Sequence, residues 1–97
     1  MSIEDEVKTK DAETIVRFLA NDENFGKKFT PYLVSKSLEV TASKIYSRKI
    51  EKLLSMLTIR FPDIFGFEKL SNSSYFWIQT EQTQFLQWFK NWFHKEF

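Results

Sequence analysis

Lys44, Arg48 and Lys52 recur at intervals of four residues in the middle of this chain. On a helix that spacing aligns them in one stripe. Such a stripe suits phosphates: lysine supplies point charges, and the planar Arg48 fork can hold two acceptors at once. Ser43 and Ser47 fall on the same face, and Thr41 stands at its start. Lys27, Lys28, Thr30, Tyr32 and Lys36 precede it, and Asn72 and Ser73 follow in a polar turn. The stripe of Lys44, Arg48 and Lys52 makes this segment a candidate surface for nucleic acid.

The charge distribution supports that choice. Residues 24–60 carry eight bases against Glu39 and Glu51, a balance of +6, whereas residues 1–23 stand at −4 and residues 61–97 at −1. A basic segment in a chain of net charge +1 makes a local field that draws in phosphate without making the whole surface adhesive. The plain alternative is a solvated helix face.

Other chemistries lack their residues. There is no cysteine and one histidine, His94, so disulfides, thiolate catalysis, cysteine-held zinc and imidazole clusters are excluded. Two glycines cannot build a phosphate-cradling loop, and neither GxxxxGK[ST] nor GxGxxG occurs. The carboxylates are scattered. No enzyme, metal or cofactor is expected. No apolar run reaches the length of a membrane span, and MSIEDEVKTK lacks the layout of a signal peptide, which points to the cytoplasm, or the nucleus of a eukaryote.

Ninety-seven residues, 42% apolar, make one domain over residues 1–97. A first helix is predicted from Ser2 or Thr9 to Asn21, with Ala12, Ile15, Val16 and Leu19 on one face and Ser2 with Asp5 as a capping-box start. Thr30-Pro31 starts a second, short helix ending near Ser37. Leu38-Glu39-Val40-Thr41 reads as a turn. A third helix follows from Ala42 to Leu57 or Thr58, with Ile45 or Tyr46, Ile50, Leu53, Leu54 and Leu57 inward. Phe67–Leu70 and Tyr75–Gln79 are strand candidates around the polar turn Ser71-Asn72-Ser73-Ser74. A last helix, capped by Thr80 or Thr83, runs to about Lys95. The fold class is mainly α with a small β-hairpin.

This order, carried by Thr30-Pro31, LEVT at 38–41, the basic helix from Ala42 and FEKLSNSSYFWI at 67–78, resembles a winged helix-turn-helix domain: a three-helix core, a two-stranded wing and here an extra C-terminal helix. The resemblance implies that the helix after the turn enters the major groove of double-stranded DNA, giving Ser43, Lys44, Ser47 and Arg48 to base edges, Arg48 as a bidentate donor to guanine, with Lys52 further along. It implies too that Thr30, Tyr32, Lys36 and Lys27 or Lys28 approach the flanking backbone and that Asn72 and Ser73 place the wing beside a groove. It also implies a small transcriptional regulator. Two features depart from the pattern: the turn carries Glu39, and the wing tip has only Lys69 as a nearby base.

The C-terminal helix carries Phe85, Trp88, Phe89, Trp92 and Phe93, with Leu86 widening the stripe. Adjacent apolar pairs make this face wider than one groove hides, and an exposed patch of that kind marks an interface. A homodimer through these aromatics is the expectation. The alternatives are an adaptor that binds another protein through the same surface, single-stranded or RNA binding through Tyr75, Phe76 or Trp77, and attachment of the helix to a membrane surface.

Overall fold

The computed structural model describes residues 6–97, so the expected capping box of Ser2 and Asp5 lies outside the described residues. Helix α1 spans Lys10–Ala20. The Thr9 hydroxyl accepts the Ala12 N–H at 3.3 Å and donates to the Glu6 carbonyl at 2.8 Å. Asp11 and Glu13 sit in its first turn and Arg17 in its last, as the helix dipole favours. Its inner face, Ala12, Ile15, Val16 and Leu19, is buried as the spacing predicts.

Helix α2, Pro31–Val40, starts where Thr30-Pro31 places it, the Thr30 hydroxyl accepting the Leu33 N–H at 3.2 Å. It then runs past its expected end at Ser37. A β-branched Val40 costs only a few tenths of a kcal/mol in a helix, less than burial of Leu38 returns. The stop is geometric: Ala42 adopts φ 62°, and the N–H groups of Ser43 and Ala42 fold back onto the carbonyls of Leu38 and Glu39 at 3.0 and 3.1 Å. This is a Schellman closure, with alanine in the place glycine usually takes.

Helix α3 therefore begins at Ser47, not Ala42, and ends at Arg60. The intervening stretch is held in place, because Ile45 is buried and its carbonyl accepts the Ser35 hydroxyl at 2.8 Å. Along α3, Ile50, Leu53, Leu54 and Leu57 face the core.

The hairpin pairs β1, Phe65–Leu70, with β2, Ser73–Ile78, antiparallel from Phe65↔Ile78 to Leu70↔Ser73. Its loop is the pair Ser71-Asn72, shorter than the expected four residues, and Ser71 takes φ 56°. Phe29, ahead of α2, forms an antiparallel bridge to Phe76, each residue donating to the other at 2.9 and 2.8 Å. On the opposite face Gly66 lies flat under the Trp77 ring, where a Cβ would sit 2.3 Å from a ring carbon.

Helix α4, Gln82–Phe93, has Glu81 as its N-cap instead of Thr80 or Thr83, and it ends on a left-handed His94 at φ 57°. The aromatic stripe is internal, which corrects the expectation of an exposed dimer surface at Phe85, Trp88, Phe89, Trp92 and Phe93. Phe85 and Phe89 are fully buried, Phe93 nearly so, and Trp88 and Trp92 pack against the core. Residues outside the helix cover the extra width. Phe61 meets the rings of Trp88 and Trp92 at 5.1 and 4.7 Å, and Phe97 meets Phe85 and Phe89 at 5.7 and 5.3 Å. The Trp92 indole donates to the Val7 carbonyl at 3.0 Å. The buried Trp88 indole N–H has no hydrogen-bond acceptor among the described residues. It stands instead among edge-to-face rings of Phe61, Phe65 and Phe93, whose faces are weak acceptors.

The described residues thus form four helices and a two-stranded hairpin around one core, with a radius of gyration of 12.3 Å. No helix among them is long and apolar enough to cross a membrane.

Candidate nucleic-acid interface

Three chain segments converge on one open groove of about 360 Å³. Thr30, Pro31 and Tyr32 bring the start of α2, Ser47, Arg48 and Glu51 the first turns of α3, and Asn72, Ser73 and Ser74 the hairpin loop. The reasons are local. Thr30-Pro31 fixes where α2 begins, and the Phe29–Phe76 bridge holds that beginning beside β2. Burial of Ile50, Leu53 and Leu54 turns Arg48 outward on α3. The short Ser71-Asn72 loop points the hairpin tip at the same place.

The groove's electrostatics come from helix ends and one cation. The first turns of α2 and α3 contain no acidic residue, and the α3 N-cap, Tyr46, makes no side-chain capping bond. The uncapped first-turn N–H groups of α3 and the positive end of each helix dipole therefore lie at this region. Arg48 is exposed and forms no ion pair among the described residues. Glu51 is likewise exposed and without a salt bridge among them.

Six of the residues chosen from sequence meet here: Thr30, Tyr32, Ser47, Arg48, Asn72 and Ser73. The others are placed differently. Lys36 sits 3.9 Å from Glu39 with its ammonium 5.7 Å from the Tyr32 ring. Lys27 is exposed in the turn before Phe29. Lys28 reaches over the Trp77 ring at 4.7 Å and lies 3.5 Å from Glu68, so it is committed to the outer face of the hairpin.

The expected stripe of Lys44, Arg48 and Lys52 does not exist as one helical row. Thr41, Ser43 and Lys44 precede α3, because the Schellman closure occupies them. The Thr41 hydroxyl donates to the Leu38 carbonyl at 3.0 Å, closing α2 where it was expected to open α3. Lys44 lies 5.6 Å from the Tyr46 ring. Lys52 is on α3 but turned toward the N-terminal segment, 3.4 Å from Glu6, and Lys49 pairs with Asp11 beside it. Half of the basic character of α3 thus offsets the acidic start of the chain.

Sequence reasoning missed Pro31, Glu51 and Ser74 in the groove and Tyr46 near it, 69% exposed at the mouth of α3. For Tyr46 a signal existed in the neighbouring Lys44, a base next to an aromatic, although the helical period assigned it inward. Glu51 was visible only as an interruption of the basic surface.

Comparison with known proteins finds no matching family, no similar curated protein and no similar solved structure.

Proposed function

We propose that this chain is a winged-helix protein that binds double-stranded DNA through the groove between α2, α3 and the hairpin loop, in the manner of a small transcriptional regulator. The observation that carries the reading is the meeting of two helix N-termini and the hairpin tip around Arg48, which forms no ion pair among the described residues. Helix N-termini favour phosphate oxygens. The hydroxyls of Thr30, Tyr32, Ser47, Ser73 and Ser74 suit backbone contacts, and Arg48, on an exposed first turn, suits bidentate contact to guanine. Lys27 and Lys44, exposed ahead of α2 and α3, are further candidate phosphate anchors, while Lys36 and Lys52 take a lesser part than their positions in the sequence imply, because Glu39 and Glu6 already stand beside them.

The test is binding to random and selected duplexes at several salt concentrations. With about three to four phosphates neutralised, log affinity should fall with log salt at a slope of about −2.7 to −3.6. Arg48→Ala should relax base preference by about 1–3 kcal/mol, whereas Lys52→Ala should change little. Absence of binding at low salt, or an Arg48→Ala protein that binds like the parent, would overturn the reading.

A further inference from the structure

β1 is an edge strand, and the bridge at Phe29 reveals which of its main-chain groups are open. Phe76 gives both its N–H and its C=O to Phe29. Its partner across the hairpin, Phe67, is therefore a non-hydrogen-bonded pair, and the main-chain groups of Phe67 point away from β2. The same alternation turns those of Lys69 outward. No other bond reaches them among the described residues. Beside this edge runs an apolar furrow lined by Ser55, Thr58, Ile59 and Phe67, with Ile59 79% exposed and Phe67 46% exposed. Leu70, also exposed, ends the strand.

We propose that β1 pairs antiparallel with β1 of a second copy of this chain, forming a twofold dimer centred on Phe67. An alternating row of open N–H and C=O groups is satisfied by another extended strand. The strand FGFEKL is itself suited to be that strand in the register centred on Phe67. A twofold axis at Glu68 sets the two carboxylates face to face, and one at Lys69 does the same to the two ammonium groups, both destabilising. An axis at Phe67 opposes Phe67 to its symmetry mate, Gly66 to Glu68, and Phe65 to Lys69, so no like charges meet. It also joins Phe67 to its symmetry mate through both main-chain groups and sets the open Lys69 N–H against the Phe65 carbonyl of the other copy, the Phe65 N–H staying with the Phe61 carbonyl at 3.1 Å, and it brings Phe67 and Ile59 of each copy toward the other. This surface is separate from α4, whose aromatics are already covered, and the proposal stands or falls independently of DNA binding.

The experiment is sedimentation equilibrium of the full chain from low micromolar to about 1 mM, paired with amide hydrogen exchange. Concentration-dependent dimerisation is expected, with the Phe67 and Lys69 amides slowing as the dimer fills. Lys69→Pro removes an outward N–H while leaving the β1–β2 bonds intact, and Ile59→Lys charges the furrow at an exposed site. Each should weaken association at least tenfold with an unchanged helical circular dichroism spectrum. A chain that stays monomeric throughout overturns the proposal. So does a dimer that both variants retain, or one in which the Phe67 and Lys69 amides exchange at the same rate at all concentrations.

Discussion

The Arg17 guanidinium lies over the ring of Phe89, 4.8 Å from its centroid, and so ties the outer face of α1 to the centre of α4. The same group donates to the main-chain oxygens of Glu96 and Phe97, both at 3.0 Å, and its Nε donates to Glu13 at 2.8 Å. One side chain thereby holds the segment that closes over the aromatic core. Hydrogen bonds from a charged donor and a cation–π contact are each worth about 1 kcal/mol or more when shielded, and less where water reaches them. Arg17→Ala should lower unfolding free energy by about 1–2 kcal/mol. Arg17→Lys should recover only part of this, since an ammonium lacks the planar fork. Urea titration of the three proteins measures both.

Glu13 receives Lys95 at 2.9 Å as well as Arg17, and these bonds hold its carboxyl below the usual glutamate range, Lys95 contributing most, with burial opposing. Because the folded state binds this proton less readily than the unfolded chain, the unfolded state gains protons first as pH falls. The stabilisation is full above the ordinary glutamate value of about 4.3 and is lost as pH drops through the lower folded value. Glu13→Gln should therefore flatten the acid limb of a plot of stability against pH while leaving the limb above neutrality unchanged. Identical acid limbs for the two proteins would count against the arrangement.

Ala42 occupies a left-handed conformation at φ 62°. A side chain there costs about 1 kcal/mol relative to glycine, less the entropy glycine adds to the unfolded chain. Ala42→Gly should raise stability by about 0.5 kcal/mol without altering α2 or α3, as thermal unfolding will report.

At Gly66 the opposite holds, for its backbone conformation is ordinary and its space is taken by the Trp77 ring. Gly66→Ala should destabilise by about 1–3 kcal/mol and shift the tryptophan emission. Combining it with Trp77→Val should restore part of the loss, the two changes being non-additive because they share one contact.

Much of this architecture is readable from local chemistry. Thr9 and Thr30-Pro31 mark helix starts through their own hydroxyls and ring, and the period of Ile15, Val16 and Leu19 survives folding intact. The misplaced boundary between α2 and α3 has a specific cause: helix ends are sought at glycine, whereas Ala42 carries this one, and Thr41 looks the same whether it opens a helix or closes one. Ser73 and Ser74 read as loop because their composition is polar, but strand pairing to Leu70 and Lys69 overrides composition. The width of the α4 stripe was legible and its covering was not, since Val7 and Phe61 reach it across long stretches of chain and Phe97 only because the chain turns back at His94. Lys52 shows the same limit, because its partner Glu6 is remote in sequence.

The pair of main-chain bonds between Phe29 and Phe76 has a consequence for timing. Thr30 follows Phe29 directly and Ser74 stands just before Tyr75 and Phe76, so two walls of the groove belong to one cooperative unit. The conformational entropy of bringing them together is lost when the chain folds, before any ligand arrives. A ligand of the proposed groove would meet these two walls already joined, without the entropy of bringing them together.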